Sequence, residues 1–114
     1  MYLGFSSMNT ADDPAPHLLA KILEDAGFES LWYGEHSHIP VERRTPYPPG
    51  GDLPEPYKKM MDPYVSLMAA AAATTRLKLG TGIALLMERE LFSQAKTIAT
   101  LDRLSNGRVV IGCG

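Results

Sequence analysis

Two spacings of apolar residues follow one another along this chain, and they predict helices and strands in turn. From His17 onward, apolar residues recur at the spacing of one helical face, with charged residues opposite them. Gly27 is suited to the left-handed position that ends such a helix. The run Ser30–Tyr33 then has the apolar and aromatic character of a strand covered on both faces, as parallel strands are. The inward-facing residues predicted for the helix are Leu18, Leu19, Ile22, Leu23 and Ala26.

The same patterns predict further strands and helices. Asp13 and Asp62 each precede a proline, a pairing that favours the start of a helix. Asn106 and Gly107 predict the turn into the last strand. The predicted strands are Tyr2–Phe5, Ser30–Tyr33, a strand that begins the segment Leu77–Leu86, and Arg108–Cys113, and the later helices are Tyr64–Thr74 and Glu88–Leu104. The inward face predicted for the last helix comprises Leu91, Phe92, Ala95, Ile98, Ala99 and Leu101.

The order of these elements, β-α-β-loop-α-β-α-β, determines the predicted fold class. A strand, a helix and a strand joined by short connections form a right-handed unit with parallel strands. In a closed (β/α)8 barrel of about 250 residues each strand is followed by a helix. We therefore predict one α/β unit over residues 1–114, the first half of a (β/α)8 TIM barrel. A stand-alone four-stranded α/β sheet stays open, although it would leave an apolar strand edge unpaired.

Residues 41–61 differ from the rest of the chain, because prolines and glycines are concentrated there. Regular secondary structure is not expected in this segment. A connection of this length that follows the end of a strand is usually either disordered or functional. We predict a proline-rich loop that faces the substrate or closes over it.

Composition and charge exclude several classes of function. The formal net charge is -2 at pH 7, and the basic residues are scattered, so no surface for nucleic acid or an anionic membrane is expected. No apolar run has the length of a membrane helix, and the N-terminal residues lack the features of a signal peptide. Cys113 is the single cysteine, which excludes an internal disulfide and fits a reducing compartment. We expect a cytoplasmic protein.

The candidate chemistry lies directly after the strand Ser30–Tyr33, where Glu35, His36 and His38 occur. Parallel α/β folds carry their functional residues at the C-terminal ends of strands. His36 is the candidate acid or base, because imidazole exchanges protons near neutral pH, and a solvent-exposed loop histidine is the alternative. A metal site built from these three side chains is a weaker alternative, since a further ligand within reach is not evident. Trp32 is expected to be a core residue rather than a ligand-stacking one.

The glycines of the third predicted strand form a separate signal. Gly80 and Gly82 contribute no packing of their own, and glycine is a poor strand former. They therefore predict a β-bulge or a close approach of another group to the backbone.

Four stretches of the sequence, taken together and in order, carry a resemblance to known proteins: Gly27–Pro40, Arg44–Pro48, Leu77–Ile83 and Leu101–Arg108. They resemble the luciferase-like monooxygenase superfamily, and most of all its coenzyme F420-dependent oxidoreductase branch. The resemblance covers essentially the whole chain but only the N-terminal half of such a protein. It implies a (β/α)8 barrel that binds a deazaflavin or flavin at the C-terminal ends of its strands.

The resemblance also implies roles for matching positions. His36 matches the histidine that faces the flavin or deazaflavin ring and assists proton transfer. Gly82 and Ile83 match the site of a non-prolyl cis peptide whose bulge lies behind that ring. Gly112 and Gly114 match the small residues that let the ring lie against the fourth strand. The phosphate-binding loops of the superfamily follow later strands, so only the ring end of a cofactor site is expected here.

The sequence departs from the superfamily at some positions. Ser37 stands where some relatives carry a second histidine, which weakens any transfer of bacterial luciferase chemistry. Leu91 follows Glu90 where relatives often have a proline after the acid. Arg43 and Arg44 fit either an anionic cofactor tail or acidic substrate, or, more simply, a solvated pair in the loop.

These observations lead to one functional hypothesis and one alternative. The hypothesis is an oxidoreductase that transfers a hydride between coenzyme F420, or alternatively FMN, and a small organic substrate. The alternative is a non-catalytic half-barrel fragment or assembly module without cofactor binding. Because a half-barrel leaves its first and last strands unpaired, we expect it to form homo-oligomers through these edges or to require a C-terminal half.

Overall fold

The computed structural model describes residues 1–114 and contains the elements that the apolar pattern predicts. The strands are β1 Gly4–Ser7, β2 Ser30–Tyr33, β3 Lys78–Ala84 and β4 Val109–Cys113, and the helices are α1 Pro16–Asp25, α2 Pro63–Ala73 and α3 Leu91–Leu104. Two short 3-10 helices span Glu55–Lys59 and Leu86–Glu88. None of the helices has the length and apolar character needed to cross a membrane.

The four strands form one parallel sheet in the order β1-β2-β3-β4. Neighbours in sequence are therefore neighbours in space, which is the strand order of a (β/α)8 barrel rather than of a doubly wound sheet. The helices cover one face, where Leu31, Tyr33 and Leu79 are buried in a single apolar cluster with α1, α2 and α3. We call the opposite face the inner face. The edge strands of the sheet are β1 and β4.

Trp32 lies on the inner face and explains one of the strand glycines. A Cβ atom at Gly80 would collide with the Trp32 ring, so the indole lies directly on the backbone of β3. The indole N–H donates a hydrogen bond of 2.8 Å to Ser30 Oγ. The predicted close approach at Gly80 is confirmed. The prediction that β2 is covered on both faces is wrong for the inner face, because Trp32 is only half-buried there.

The two predicted Asp-Pro helix starts have different outcomes. Asp62 caps α2, because its carboxylate accepts a hydrogen bond of 3.0 Å from the Val65 N–H. Asp13 does not cap α1, which begins at Pro16 without a side-chain cap. Asp13 instead accepts hydrogen bonds from Ser7 Oγ and from the backbone and side chain of Thr10, at 3.3, 2.7 and 3.1 Å.

The helical faces are displaced from those that the apolar spacing predicts. In α3, Leu91 is 67% exposed and Phe92 is 81% exposed, and Ala95 and Ala99 are exposed as well, so the predicted inward face is wrong at these positions. Leu101 is buried as predicted. The helix is instead fixed through Gln94, whose amide donates a hydrogen bond of 3.1 Å to the buried Tyr64 hydroxyl. In α1, Leu18 and Ile22 are exposed, and Ala20 and Glu24 are buried instead.

Glu24 is a buried carboxylate at the N-terminal edge of the sheet. Its oxygens accept hydrogen bonds from the backbone N–H groups of Thr75, Arg76 and Leu77, at 2.9, 2.6 and 2.8 Å. Burial by itself raises the pKa of this carboxyl, but the three N–H donors outweigh it and hold the pKa of Glu24 below its ordinary value. Glu24 therefore joins the end of α1 to the connection between α2 and β3.

The proline-rich loop over residues 41–61 has a defined attachment to the segment that follows β1. The Met61 N–H donates to the Asn9 carbonyl oxygen at 2.8 Å, and the Asn9 amide donates to the Met61 carbonyl oxygen at 3.2 Å. Lys59 forms an ion pair of 2.8 Å with Asp12. The 3-10 helix Glu55–Lys59 was not expected from the sequence, because prolines and charges conceal its short pattern.

Candidate functional site

The register of the strands brings three glycines together at the C-terminal edge of the sheet. Tyr33 pairs with Thr81, and Thr81 pairs with Ile111. The residues that follow them are Gly34, Gly82 and Gly112. A Cβ atom added at Gly34 would lie 3.4 Å from the Gly82 carbonyl oxygen, so the ends of β2 and β3 are in contact. These three glycines, which we call the glycine strip, carry no side chains of their own, and the end of the Met60 side chain would lie 3.0 Å from a Cβ atom at Gly34.

β3 contains the predicted bulge at this edge. Thr81 pairs with Ile111 and Ala84 pairs with Cys113, so β3 has one residue more than β4 between these pairs. The additional residue lies within Gly82-Ile83, and the peptide bond that joins these two residues is cis. The bulge predicted from Gly80 and Gly82 is therefore confirmed, and the cis bond lies at the position that the resemblance implied.

Gly112 and Gly114 have a packing role that the sequence did not reveal. A Cβ atom at Gly112 would lie 2.5 Å from the Thr81 carbonyl oxygen, and one at Gly114 would collide with the Ile83 side chain. These glycines accommodate the bulge of β3 and the side chain of Ile83. Their contact with a cofactor ring stays a prediction.

Gly82 has no such packing requirement. A Cβ atom there would meet Trp32 at 3.7 and 3.9 Å, which is ordinary van der Waals contact. Gly82 is exposed, and its φ angle is not among the positive ones. Neither packing nor backbone conformation therefore requires glycine at position 82, and without a side chain its backbone is exposed.

His36 lies two residues beyond Gly34, at the meeting point of two clefts. Its half-buried ring packs edge-on against Tyr57, with ring centroids 5.4 Å apart. The larger cleft, about 650 Å³, is formed by His36 and the proline-rich loop and includes Tyr57, Arg43 and Lys58. The smaller cleft, about 200 Å³, extends from His36 to Glu35 and Arg89. His36 is accordingly accessible from both clefts, three residues after the end of β2.

Glu35 and Arg89 form an ion pair that the sequence did not predict, in which the Arg89 side chain is 25% exposed. The Glu35 side chain is fully buried, receives a hydrogen bond from Arg89 Nε, and accepts one of 2.8 Å from the Leu85 N–H. Arg89 also donates to Asp62 at 2.6 Å, and its guanidinium lies 4.8 Å from the centre of the Tyr64 ring. One signal for this pair was present, because Glu35 continues the alternation of Leu31 and Tyr33 on the helix-covered face.

The charged groups of this cluster shift one another's pKa values. Burial by itself raises the pKa of Asp62, but the hydrogen bonds from Arg89 and from the Val65 N–H lower it below its ordinary value. Burial by itself lowers the pKa of Arg89. The carboxylates of Asp62, first, and of Glu35 more than compensate, so the pKa of Arg89 is raised above its ordinary value. Asp62 and Arg89 are therefore both charged at neutral pH.

The remaining candidate residues do not converge on a metal site. The Glu35 carboxylate is already engaged by Arg89 and Leu85, and no group of three or more His, Cys, Asp or Glu side chains has the geometry to hold a metal ion. His38 is exposed and lies 2.8 Å from Ser37 Oγ, which donates to Glu88 at 3.0 Å. Cys113 is exposed at the end of β4.

The two features that the sequence singled out therefore share one edge of the molecule. His36 follows the end of β2, and Gly82 and Ile83 lie at the adjoining end of β3. Gly112 on β4 and Gly114, directly after β4, lie beside Ile83. The arrangement places the residue that carries the imidazole and the exposed backbone of Gly82 at the same edge of the sheet. An exposed glycine admits a flat group close to its peptide bonds, and an imidazole can exchange protons with a group within hydrogen-bond reach.

Known proteins share this architecture. An uncharacterised protein of Mycobacterium tuberculosis is 41% identical over the whole chain, which spans 42% of that relative's length. The coenzyme F420-dependent tetrahydromethanopterin reductase of Methanopyrus kandleri superposes with a TM-score of 0.72 at 30% identity, over 99% of this chain and 26% of that one. The oxygenating constituent of 3,6-diketocamphane monooxygenase from Pseudomonas putida, solved with FMN, has a TM-score of 0.71 over 99% of this chain and 28% of that one. At 19% identity, this last likeness shows the fold alone.

The comparisons confirm the predicted fold class, since this chain corresponds to the N-terminal part of (β/α)8 barrels that are longer. A profile of the luciferase-like monooxygenase family matches residues 10–114. This chain belongs to the luciferase-like monooxygenase family, a family of oxidoreductases.

Proposed function

We propose that this chain forms the ring-binding end of an F420-dependent oxidoreductase, in which hydride passes between the cofactor and a small organic substrate. The observation that carries the proposal is the juxtaposition of His36 with the Gly82-Ile83 bulge at one edge of the sheet. The whole reaction is proposed for a longer protein or assembly, because the chain spans 42% of its mycobacterial relative.

The residues at this edge fit a flat heterocycle. Gly82 is exposed, and its backbone has room that the fold itself does not use. Ile83, which is 45% exposed, supplies apolar surface beside it. A tricyclic ring would lie against this backbone and bury the apolar surface of Ile83, which is favourable by about 25 cal/mol for each Å² removed from water.

His36 is proposed to hold the ring or to exchange a proton with it or with the substrate. When bound, the cofactor supplies the hydride chemistry, which no protein side chain provides. The imidazole is half-buried, and Tyr57 packs against it at 5.4 Å, so its orientation is restricted before any ligand enters. A restricted base loses less conformational freedom on binding than a mobile one. The cleft formed with the proline-rich loop would admit the substrate from the other side of His36.

F420 is proposed ahead of FMN on the strength of the comparisons at higher identity. The reductase of Methanopyrus kandleri is named for its dependence on F420 and is 30% identical to this chain. The FMN-bound monooxygenase is 19% identical. FMN stays the alternative cofactor, since both proteins have this fold.

The proposal is tested by titrating the 114-residue chain into F420 and, separately, into FMN, while the ring fluorescence is recorded. We expect saturable quenching with the wild type and its loss with His36→Ala. His38→Ala is the matched control, because it removes an exposed imidazole from the same loop and is expected to quench as the wild type does.

A second variant tests the glycine strip. Gly82→Ala adds a methyl group that the fold tolerates, and we expect ring affinity to fall on the order of tenfold, equivalent to about 1.4 kcal/mol, with an unchanged unfolding midpoint. Quenching by neither cofactor with the folded wild type would contradict the proposal. That result would favour the alternative, a half-barrel module that binds no cofactor.

A further inference from the structure

We propose that the Glu35–Arg89 ion pair positions the site: it fixes the distance between His36 and the Gly82-Ile83 bulge. The inference rests on the proposed function, because these two features are the ones assigned to the cofactor ring. Glu35 and Arg89 do not themselves face the strip of glycines, so both are positioning residues.

The contacts of Glu35 join the two halves of the site. Glu35 directly precedes His36 in the chain, and its Oε2 accepts a hydrogen bond of 2.8 Å from the N–H of Leu85. Leu85 lies two residues after Ile83. One carboxylate therefore connects the segment that carries the imidazole to the segment that carries the bulge, and it does so beyond the point where β2 and β3 pair.

Arg89 completes this connection and anchors it to a helix. Its guanidinium donates to Glu35 and, at 2.6 Å, to Asp62, and Asp62 caps the N-terminus of α2. It also lies over the ring of Tyr64 in the first turn of that helix, 4.8 Å from the ring centre. One network of charged hydrogen bonds thus joins the segment that carries the imidazole to the segment that carries the bulge, and both to α2.

The location of the pair favours a positioning role over simple stabilisation. Replacing a buried ion pair by apolar residues is often neutral or stabilising, so such a pair is weak evidence for a contribution to stability. Glu35 and Arg89 line the 200 Å³ cleft that opens onto His36, and they fix a geometry that apolar side chains would leave adjustable.

The experiment compares Glu35→Gln with Glu24→Gln. Glu24 is the matched control, because it is also a buried carboxylate that accepts backbone N–H groups, but it lies at the opposite, N-terminal edge of the sheet. The full chain is studied by NMR of the imidazole of His36, assigned by its absence in His36→Ala, and of the Ile83 methyl groups. F420 and FMN quenching is measured on the same samples.

With Glu35→Gln, we expect the His36 and Ile83 signals to shift together and ring affinity to fall on the order of tenfold, because small misplacements of positioned groups cost up to about 10²-fold. Glu24→Gln is expected to lower the unfolding midpoint while these signals and the affinity stay at their wild-type values. Wild-type signals and affinity in Glu35→Gln, or the same changes in both variants, would overturn the inference.

Two provisions keep the result decisive. If Glu35→Gln does not fold, Arg89→Lys replaces it, since lysine keeps the charge but cannot donate to Glu35 and Asp62 in the same planar geometry. If the wild type binds neither cofactor, the proposed function fails while the NMR comparison still decides the coupling. Coupled shifts would then support the positioning link, and their absence would refute it.

Discussion

At the scale of single residues, this protein places carboxylates where backbone N–H groups or a guanidinium satisfy them. Glu24 fastens the N-terminal edge of the sheet, and Glu35 fastens the C-terminal edge. Both are buried acidic residues within apolar patterns, and the partners of each come from a distant part of the chain. The first serves the scaffold, and the second is adjacent to the candidate site.

Glu24 makes stability dependent on pH in a defined direction. Its pKa is lower in the folded state than its ordinary value of 4.5, so the unfolded chain binds more protons on acidification. The free energy of unfolding is expected to be constant well above that value and to decrease as the pH falls through it and below. Urea denaturation across this range checks the direction, and Glu24→Gln should show a weaker dependence on pH. An equal dependence in the variant would argue against this account.

Removing the Glu24 side chain altogether leaves N–H groups without acceptors. Thr75 and Arg76 are exposed and can turn to water, but Leu77 is buried. We expect Glu24→Ala to lower the free energy of unfolding by roughly 1–3 kcal/mol for the unsatisfied Leu77 N–H. Chemical denaturation at pH 7 measures this loss, and a stability equal to that of the wild type would contradict it.

Gly80 and Gly82 are two residues apart and are predicted to respond differently to the same substitution. A methyl group at Gly80 collides with the Trp32 ring, so Gly80→Ala is expected to cost about 1–3 kcal/mol of stability through overpacking. Gly82→Ala meets only ordinary contacts and is expected to change stability little. Thermal unfolding of both variants tests the contrast, and equal losses would mean that Trp32 does not lie across β3.

At the scale of secondary-structure elements, the apolar pattern predicted which elements exist better than it predicted their faces. β2 was predicted with its observed bounds, since its four residues are apolar or small and end at Gly34. The pattern predicted burial for Leu91 and Phe92 of α3, and both are exposed. Amphipathic spacing shows that one face of a helix is apolar, but it does not show whether another element packs on that face. Glu35–Arg89 was missed because the alternation along β2 indicates only the face on which Glu35 lies, and it does not identify Arg89, in a distant segment, as the partner. His36 and Gly82-Ile83 were found through local motifs, which the sequence does carry.

The attachment of the proline-rich loop is predicted to depend on Asn9. This residue has a φ of 57° and joins Met61 through two hydrogen bonds. Asn9→Ala is expected to cost about 1–2 kcal/mol, since alanine loses the amide contact and is strained in the left-handed region. Asn9→Gly is the control, because it keeps the backbone conformation available. Hydrogen exchange at Met61 should accelerate more in Asn9→Ala than in Asn9→Gly, and equal rates would count against the role of the backbone.

At the scale of the whole molecule, the sheet has two edge strands, β1 and β4, and an inner face on which Trp32 is only half-covered. Exposed strand edges pair readily with other strands. We propose that this chain on its own pairs these edges by association with further copies.

Light scattering tests the proposed association. The monomer has a mass of 12.5 kDa, and we expect species of at least twice that mass that increase with protein concentration. Val110→Lys, which places a charge on the edge strand β4, is expected to weaken association. A folded monomer at all concentrations would show that the edges are tolerated in solution.

The central claim is that His36 and the β3 bulge face the same heterocycle. The most direct measurement is the set of intermolecular nuclear Overhauser effects between the ring protons of bound F420 or FMN and the protein. We predict cross-peaks from one ring both to the His36 imidazole and to the Ile83 methyl groups. Cross-peaks to only one of these residues, or to neither, would contradict the claim.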